Sequence, residues 1–280
     1  MFEELGANLY KPEPKVTLDE VNILHVPIFV TLDACHLLKL ARNCFGDFKV
    51  ITNEKNEQIS WRFLEELNKI QQEQGLHLAT KIRSKHIRYQ DNKMKVSLAA
   101  QLFSKSVSKA LLFCENDLKL AELCSFFNDL FDVCNTRSKS NKLTISQESF
   151  PSFLSFIEHA KHYICNLKQL DGKLLIEGPR KKTFLGFLVT LKSFMYIYRC
   201  YVQTHHLSHI VTFKFSQDHL EFFFGAIRAS LGSNNNPTTV QVHFNIGPQP
   251  YFINVPIHKL YYLEFATKVI FMSDHLRRPD

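Results

Sequence analysis

Hydrophobic residues follow two different patterns along the chain, and together they predict a mixed fold. Residues 20–32 are β-branched and apolar, which predicts one buried strand. From residue 61 the apolar positions recur every three or four residues, which predicts a helical block of about 120–140 residues. Alternation typical of strands returns at 240–245 and 251–255. Strands at both ends of a helical block predict an α/β core interrupted by a helical insertion.

The predicted elements begin and end at recognisable residues. Asp33 stands at the N-cap position of a helix over 35–45, which we expect to stop at Gly46. The next helix should end at Gly75, because glycine readily adopts the left-handed backbone that closes a helix. A short strand is expected over 48–52. The later predicted helices cover 61–74, 97–114, 117–135, 148–169, 181–203 and 216–230.

The most apolar run of the chain covers residues 183–198. It is too short to cross a bilayer comfortably and contains Lys192, so it predicts a buried helix of the core. The first residues lack a basic segment followed by an apolar one, so we expect no secretory signal. We also expect no contact with a membrane.

Composition narrows the class of protein. The 280 residues are 45% hydrophobic, 12% aromatic and 22% charged, which excludes a disordered or low-complexity chain. The formal net charge of +7 is compatible with an anionic partner such as a nucleic acid. None of the seven cysteines belongs to a Cys-x-x-Cys pair, which excludes zinc-finger spacing and favours reduced thiols in an intracellular protein.

Three acidic residues are candidates for binding a metal ion. Asp218 and Glu221 are three residues apart, so a helix would present both from one face, where they could hold a divalent cation. The same Asp-x-x-Glu spacing at a helix start is also typical of a capping box. Asp33 ends an apolar strand, a common place for a metal-binding acid, but an ordinary N-cap role is the simpler explanation.

Two further groups of residues suit an anionic or nucleotide ligand. Phe131, Asp132 and Asn135 close a predicted helix with an acid and an amide about one turn apart. Asp132 would suit the two donors of a guanine edge, or it would simply point into water. The segment 81–95 contains six Lys and Arg residues and only one acid. This composition suits either a phosphate-binding patch or a solvated helix face.

Other catalytic motifs receive little support. His205, His206 and His209 have no accompanying carboxylate and follow a helix end, so we do not expect a metal site there. The sequence contains no GxGxxG, GxxxxGK[ST], GxSxG or HExxH motif. Dinucleotide-binding folds, P-loop NTPases and serine hydrolases are therefore poorly supported.

Four blocks of residues resemble the P element-type DNA transposase family, and they occur in that family's order. The most specific block is FSQDHLEFFFGAIR over 215–228, which is similar to the family's catalytic-Glu motif. The sequence is identified as a member of this family on these blocks together. The other blocks are Asp33–Asn43, Ile59–Ala79 and Arg180–Leu188, and Asn234–Thr238 follows the most specific one.

The resemblance implies a partial RNase H-like catalytic fold interrupted by a mainly α-helical GTP-binding insertion domain. This architecture is α/β, as the strand and helix patterns predict. The implied divisions are 1–61 (partial RNase H-like core), 62–205 (GTP-binding insertion), 206–240 (RNase H-like C-terminal part) and 241–280 (divergent tail).

The resemblance also implies cut-and-paste DNA transposition with two Mg²⁺ ions. Asp33 would be the second catalytic Asp, Glu221 the catalytic Glu and Asp218 a supporting acid, with Asp33 and Glu221 binding the metal. The DNA partners would be transposon ends and target DNA, and an intact transposase or a second copy of the chain is a further candidate partner. The family places the protein in the nucleus.

GTP is the second cofactor that the resemblance implies, and it would organise the DNA complex without being consumed. Asp132 would accept the guanine donors, and Phe131 would pack on the ring. Asn135 belongs to the same motif, and Lys95 would contact phosphate.

The sequence also departs from the family pattern. The family's first catalytic Asp lies upstream of the strand that ends at Asp33, and the given sequence begins after that position. The family's zinc-dependent THAP module has no match either. We therefore expect this polypeptide to be unable to cut or join DNA by itself. The alternatives are a transposon-derived interaction or regulatory protein without nuclease activity, and a fragment of a longer product.

Overall fold

Helices make up most of the structure. The computed structural model describes residues 8–9, 14, 16–18, 28–75, 79, 81–114 and 117–230. The chain divides into two compact units, Met1–Phe213 and Lys214–Asp280. In the described residues the α-helices are α1 (Ala34–Phe48), α2 (Arg62–Gln74), α3 (Ser84–Ile87), α4 (Val96–Leu102), α5 (Lys105–Cys114), α6 (Leu118–Cys134), α7 (Phe150–Cys165), α8 (Lys181–Ile197) and α9 (Asp218–Ser230).

The strands are short and form three small antiparallel sheets among the described residues. One sheet pairs β1 with β2, the second has the order β4-β3-β6, and the third pairs β5 with β7. The third sheet joins residues far apart in sequence, since Ile145 lies opposite Ile210. The strands are β1 (Thr17–Leu18), β2 (Ile28–Phe29), β3 (Val50–Thr52), β4 (Gln58–Ser60), β5 (Ile145–Ser146), β6 (Lys168–Gln169) and β7 (His209–Ile210).

Helix α8 lies at the centre of the first unit, and 12 of its 17 residues are buried. It packs against α1, α7 and β2, and its Phe187 ring lies 6.1 Å from that of Phe127 on α6. A helix that is apolar on all sides is normally enclosed by other elements. The prediction of a buried core helix over 183–198 is therefore confirmed. In the described residues, no helix has the length and hydropathy needed to cross a membrane.

A second part of the core is built from aromatic rings around Trp61. The Trp61 indole is fully buried and meets the rings of Phe45 and Tyr89 edge-on, each at a centroid distance of 5.3 Å. Such edge-to-face pairs add about 0.5–1.5 kcal/mol each beyond the area they bury. These contacts hold α1 against the segment that begins α2.

Several predicted elements are confirmed and others need correction. The helix predicted to end at Gly75 does so, with a positive φ of 65°. The single helix predicted over 97–114 is wrong, because α4 ends at Leu102 and α5 begins at Lys105. Ser104 separates them: its hydroxyl donates to the Gln101 carbonyl and accepts from the Val107 N–H. A serine hydroxyl that accepts from an amide three residues later starts a new helix.

The strand predicted over 20–32 is confirmed only at Ile28–Phe29. Residues 30–32 lie outside any strand, and residues 20–27 lie outside the described residues. The strands predicted at 240–245 and 251–255 also lie outside them.

The prediction that α1 stops at Gly46 is wrong, because the helix continues to Phe48 and ends at Lys49 with a φ of 62°. Gly46 serves a packing role instead. A Cβ atom added there would lie 2.6 Å from Cζ of the buried Tyr89 ring. The absence of a side chain at this position lets Tyr89 approach the α1 backbone.

We expect the substitution Gly46→Ala to destabilise the chain by about 1–3 kcal/mol, because the buried Tyr89 ring has no room to move away. Chemical denaturation would measure the loss. Gly225→Ala in α9 is the matched control, since an added Cβ there meets no described atom within 4 Å. That variant should be neutral or slightly stabilised. Equal stability of the two variants would contradict this packing role.

Candidate functional site

Asp33 is the N-cap of α1. Its Oδ2 atom accepts a hydrogen bond of 2.8 Å from the His36 N–H, as expected for an N-cap. The cap interpretation is therefore confirmed. Capping occupies only part of what a carboxylate can accept, because its two oxygens offer about four lone-pair positions. The role of Asp33 in binding a metal stays a prediction.

The backbone that leads into Asp33 is held by two hydroxyl groups of α8. The Thr190 hydroxyl accepts from the Leu32 N–H at 3.0 Å and donates to the Leu32 carbonyl at 3.2 Å. One turn further along, the Ser193 hydroxyl donates to the Val30 carbonyl. Both side chains are buried, so these bonds fix the position of the chain immediately before Asp33.

Asp218 and Glu221 lie in the first turn of α9, as the helix predicted over 216–230 requires. Glu221 is exposed to solvent and Asp218 is half-buried. The three-residue spacing places both carboxylates towards one face of the helix. Their joint use with Asp33 stays a prediction.

The histidine cluster does not have the geometry of a helical metal site. Helix α8 continues into a π-helical turn, Tyr198–Val202, which ends before the cluster. His205 has a positive φ of 61°, and His209 lies in β7. Among the described residues, no group of three His, Cys, Asp or Glu side chains is arranged to hold a metal ion.

The C-terminal end of α6 brings together the residues predicted to bind guanine. Asp132 lies in the last turn and is exposed, Phe131 is half-buried, and Asn135 is the C-cap. The Asn128 amide donates to Asp132 Oδ2 at 2.8 Å. The Asn135 Oδ1 atom is buried and has no donor among the described residues. An acceptor that is buried without a donor is costly, so a bound group that donates to it would be stabilised.

The environment of Asp132 disfavours its charged form. Partial burial raises the pKa of this carboxyl above its ordinary value of 3.8, and the nearby Asp129 carboxylate raises it further. The Asn128 amide and the Lys105 ammonium group act in the opposite direction. A carboxylate with a raised pKa on an accessible surface is often found in a binding site, because ligand donors can stabilise its charge.

Lys105 is a further candidate residue for the site at the end of α6, and no sequence pattern reveals it. It begins α5, and its Nζ atom lies 2.7 Å from Asp129 Oδ1, one turn before Asp132 on α6. Its position depends on the antiparallel packing of α5 against α6. Both Lys105 and Asp129 line a cleft of about 1350 Å³ that opens beside the end of α6.

The basic segment over 81–95 is not one helix face. It folds into α3, a 3₁₀ turn (Tyr89–Asn92) and the start of α4, and all six of its Lys and Arg residues are exposed. Lys95 is the N-cap residue of α4.

The fully buried Arg42 of α1 holds this segment in place. Its Nη2 atom donates to the carbonyls of Asn92 and Lys93, at 3.2 Å and 3.0 Å. The Asn43 amide also donates to the Lys93 carbonyl, at 3.3 Å. The loop that presents Lys95 is therefore fixed to α1, although no local pattern in the sequence links them.

Comparison with known proteins identifies the family. Residues 35–147 match the TNP-like GTP-binding insertion domain, and residues 213–244 match the TNP-like RNase H C-terminal domain. DNA transposase THAP9 of Homo sapiens is 30% identical over 251 residues, which is 85% of this chain and 28% of that protein. The chain belongs to the P element-like transposase family.

Transposable element P transposase of Drosophila melanogaster is a second relative of this P element-like chain. It is 27% identical over 256 residues, which is 88% of this chain and 33% of that protein. The chain thus spans about a third or less of the length of these two relatives. The Drosophila P element transposase strand transfer complex shares the fold, with a TM-score of 0.71 and 24% identity over 87% of this chain and 55% of that one.

We expect Asp33→Ala to destabilise this P element-like chain by about 0.5–2 kcal/mol, because the substitution removes the N-cap of α1. Asp33→Asn should keep nearly the full stability, since asparagine caps a helix as well as aspartate does. Urea denaturation of the three proteins would measure the difference. Equal losses in both variants would show that the charge of Asp33, and not its capping bond, stabilises the fold.

Proposed function

We propose that this chain is a segment of a P element-like DNA transposase that binds GTP and DNA and is catalytically incomplete by itself. The observation that carries the proposal is the pair of acceptors at the end of α6, Asp132 and Asn135. The Asp132 carboxylate is exposed and has a raised pKa, and the neighbouring Asn135 oxygen is buried without a described donor. Both residues lie within the region that matches the GTP-binding insertion domain.

The chemistry of guanine is complementary to this set. Its Watson–Crick edge presents two adjacent N–H donors, which suit the two oxygens of a carboxylate. Donation to Asp132 would restore the stabilisation that partial burial removes from its charged form. The half-buried Phe131 ring can pack against the base, and the exposed Lys95 is the proposed contact for phosphate.

The catalytic part of the proposal rests on the resemblance to the family at three carboxylates, which do not form one metal-binding group among the described residues. Asp33, Glu221 and the supporting Asp218 offer the hard oxygen ligands that Mg²⁺ prefers. Bound Mg²⁺ would supply Lewis-acid stabilisation of a phosphodiester under attack. The residues of this chain would hold the ions, with Asp33 fixed on α1 by its cap and Glu221 presented to solvent by α9.

The proposed partner is DNA, both transposon ends and target, and the proposed location is therefore the nucleus. The exposed Lys and Arg residues over 81–95 and the net charge of +7 support binding to phosphates. The related solved structure is a transposase strand transfer complex. An intact transposase or a second copy of this chain is a further proposed partner.

A second candidate function is that of a transposon-derived interaction protein without nuclease activity. It is favoured by apolar surface where α5 ends and α6 begins. Phe113 is 80% exposed, Leu118 61% and Leu112 40%. Clustered exposed apolar side chains often mark a protein interface. Nucleotide binding distinguishes the two candidates, because this second function does not require GTP.

A calorimetric titration of the full chain with GTP tests the first proposal. We expect saturable binding, and Asp132→Ala should weaken it by about 2 kcal/mol, roughly thirtyfold, because hydrogen bonds to a charged group are lost. Asp117→Asn is the matched control: it changes an acid at the other end of α6, where asparagine caps equally well. Its GTP affinity should equal that of the unmodified chain.

The pH dependence of the same titration identifies the ionised group. An ionised Asp132 accepts N–H donors at both oxygens, whereas the protonated carboxyl carries an O–H donor at one of them, so affinity should fall as the pH is lowered through its pKa. Because that pKa is raised, the loss should begin at a higher pH than for an ordinary aspartate. Asp132→Asn should bind weakly at every pH over this range. Absence of saturable GTP binding by the folded chain would favour the interaction-protein candidate instead.

A further inference from the structure

Thr212 joins the proposed nucleotide site to the segment that leads into α9. Its side chain is fully buried, and its hydroxyl makes two hydrogen bonds to the end of α6. It donates to the Val133 carbonyl at 2.7 Å and accepts from the Thr136 N–H at 2.9 Å. These partners lie on either side of Asn135, 79 and 76 residues away in sequence.

Two further contacts strengthen this connection. The Phe213 N–H donates to the Thr136 carbonyl at 3.1 Å, and the Arg137 guanidinium lies 4.1 Å from the centre of the Phe213 ring. The Thr136 hydroxyl in turn donates to the carbonyl of Asp132 at 2.9 Å. The backbone of Asp132 is therefore bonded to Thr136, and Thr136 is bonded to both Thr212 and Phe213.

The end of a helix needs such partners, because its last carbonyl groups have none within the helix. The Val133 carbonyl and the Thr136 N–H are satisfied by one hydroxyl from a distant part of the chain. If that hydroxyl were removed, both groups would lose a buried partner, and the last turn of α6 would move more freely. The side chains of Asp132 and Asn135 project from this turn.

We propose that Thr212 is a positioning residue of the nucleotide site, which fixes the turn carrying Asp132 and Asn135 and links it to the segment entering α9. This proposal rests on the proposed function, in which those two residues bind guanine. Thr212 directly precedes the first residue matched to the RNase H C-terminal domain, and Asp132 lies in the GTP-binding insertion domain. Occupation of the nucleotide site would therefore stabilise the backbone that continues, nine positions after Thr212, to Glu221.

Three variants test the proposal by GTP calorimetry. Thr212→Val removes the hydroxyl and should weaken GTP binding about tenfold, whereas Thr212→Ser keeps the hydroxyl and should bind within about twofold of the unmodified chain. Thr190→Val is the matched control. Thr190 is equally buried and also bonds to one N–H and one carbonyl, but at Leu32. It should lose comparable stability and keep its GTP affinity.

Amide hydrogen exchange provides a readout that loss of stability alone would not change. In the unmodified chain, GTP should slow exchange at the amides of both Thr136 and Phe213. In Thr212→Val, which removes the acceptor of the Thr136 N–H, GTP should no longer slow exchange at Thr136 or at Phe213. The measurement on the unmodified chain does not depend on the variant. Exchange at Phe213 that GTP leaves unchanged would therefore overturn the proposal even if Thr212→Val does not fold.

The outcomes separate this proposal from the function on which it rests. Failure of the folded, unmodified chain to bind GTP would overturn both. GTP binding that is equally tight in Thr212→Val, equally weakened in Thr190→Val, or not restored in Thr212→Ser would overturn only the role of Thr212. The same follows if GTP leaves the exchange of Phe213 unchanged.

Discussion

The burial of α8 is the constraint on which the first compact unit depends. This helix has apolar residues on every side, so other elements must cover it. Helices α1 and α7 and strand β2 pack around it. Its Phe187 also reaches Phe127 on α6, whose far end carries Asp132. The helix that begins at Asp33 and the helix that ends at the proposed nucleotide site are thus both placed by contact with α8.

Buried hydroxyl groups fix the backbone at two places in this apolar packing, before Asp33 and at the end of α6. A threonine hydroxyl can donate and accept at once, so one side chain can satisfy a backbone N–H and a carbonyl together. Thr190 does this for Leu32, directly before Asp33, and Thr212 does it for the end of α6. Irregular backbone needs such bonds when it is buried. The backbone beside two of the proposed ligand-binding residues, Asp33 and Asp132, is therefore held by buried hydroxyl groups.

The electrostatics of the proposed nucleotide site differ from those of the surrounding surface. Several exposed acids elsewhere lie near cations, as Glu65 does at 3.1 Å from Lys49. Asp132 instead has an amide as its nearest donor, and partial burial raises its pKa. Such a carboxylate gains more from a ligand with two N–H groups than one already satisfied by an ion pair. The match of residues 35–147 to a GTP-binding insertion domain gives this local property its proposed meaning.

Sequence patterns determined much of the local structure. Local preferences and periodicity predicted the end of α2 at Gly75 and the cap at Asp33. They also predicted the burial of α8 and the position of Asp132 and Asn135 at the end of a helix. The family itself followed from blocks such as that over 215–228. Such features depend on neighbours within a few turns, which a sequence displays directly.

Only the tertiary structure decided the remainder, because it depends on residues that are distant along the chain. Gly46 was predicted to end α1, yet it lies within the helix. Its lack of a side chain leaves room for the Tyr89 ring. Lys105 approaches Asp129 through the packing of two helices, and Arg42 holds the loop before Lys95 across about 50 residues. No periodicity encodes these distances. They arise when burial of α8 and of the Trp61 cluster brings the elements together, and buried polar groups then bond to the partners within reach.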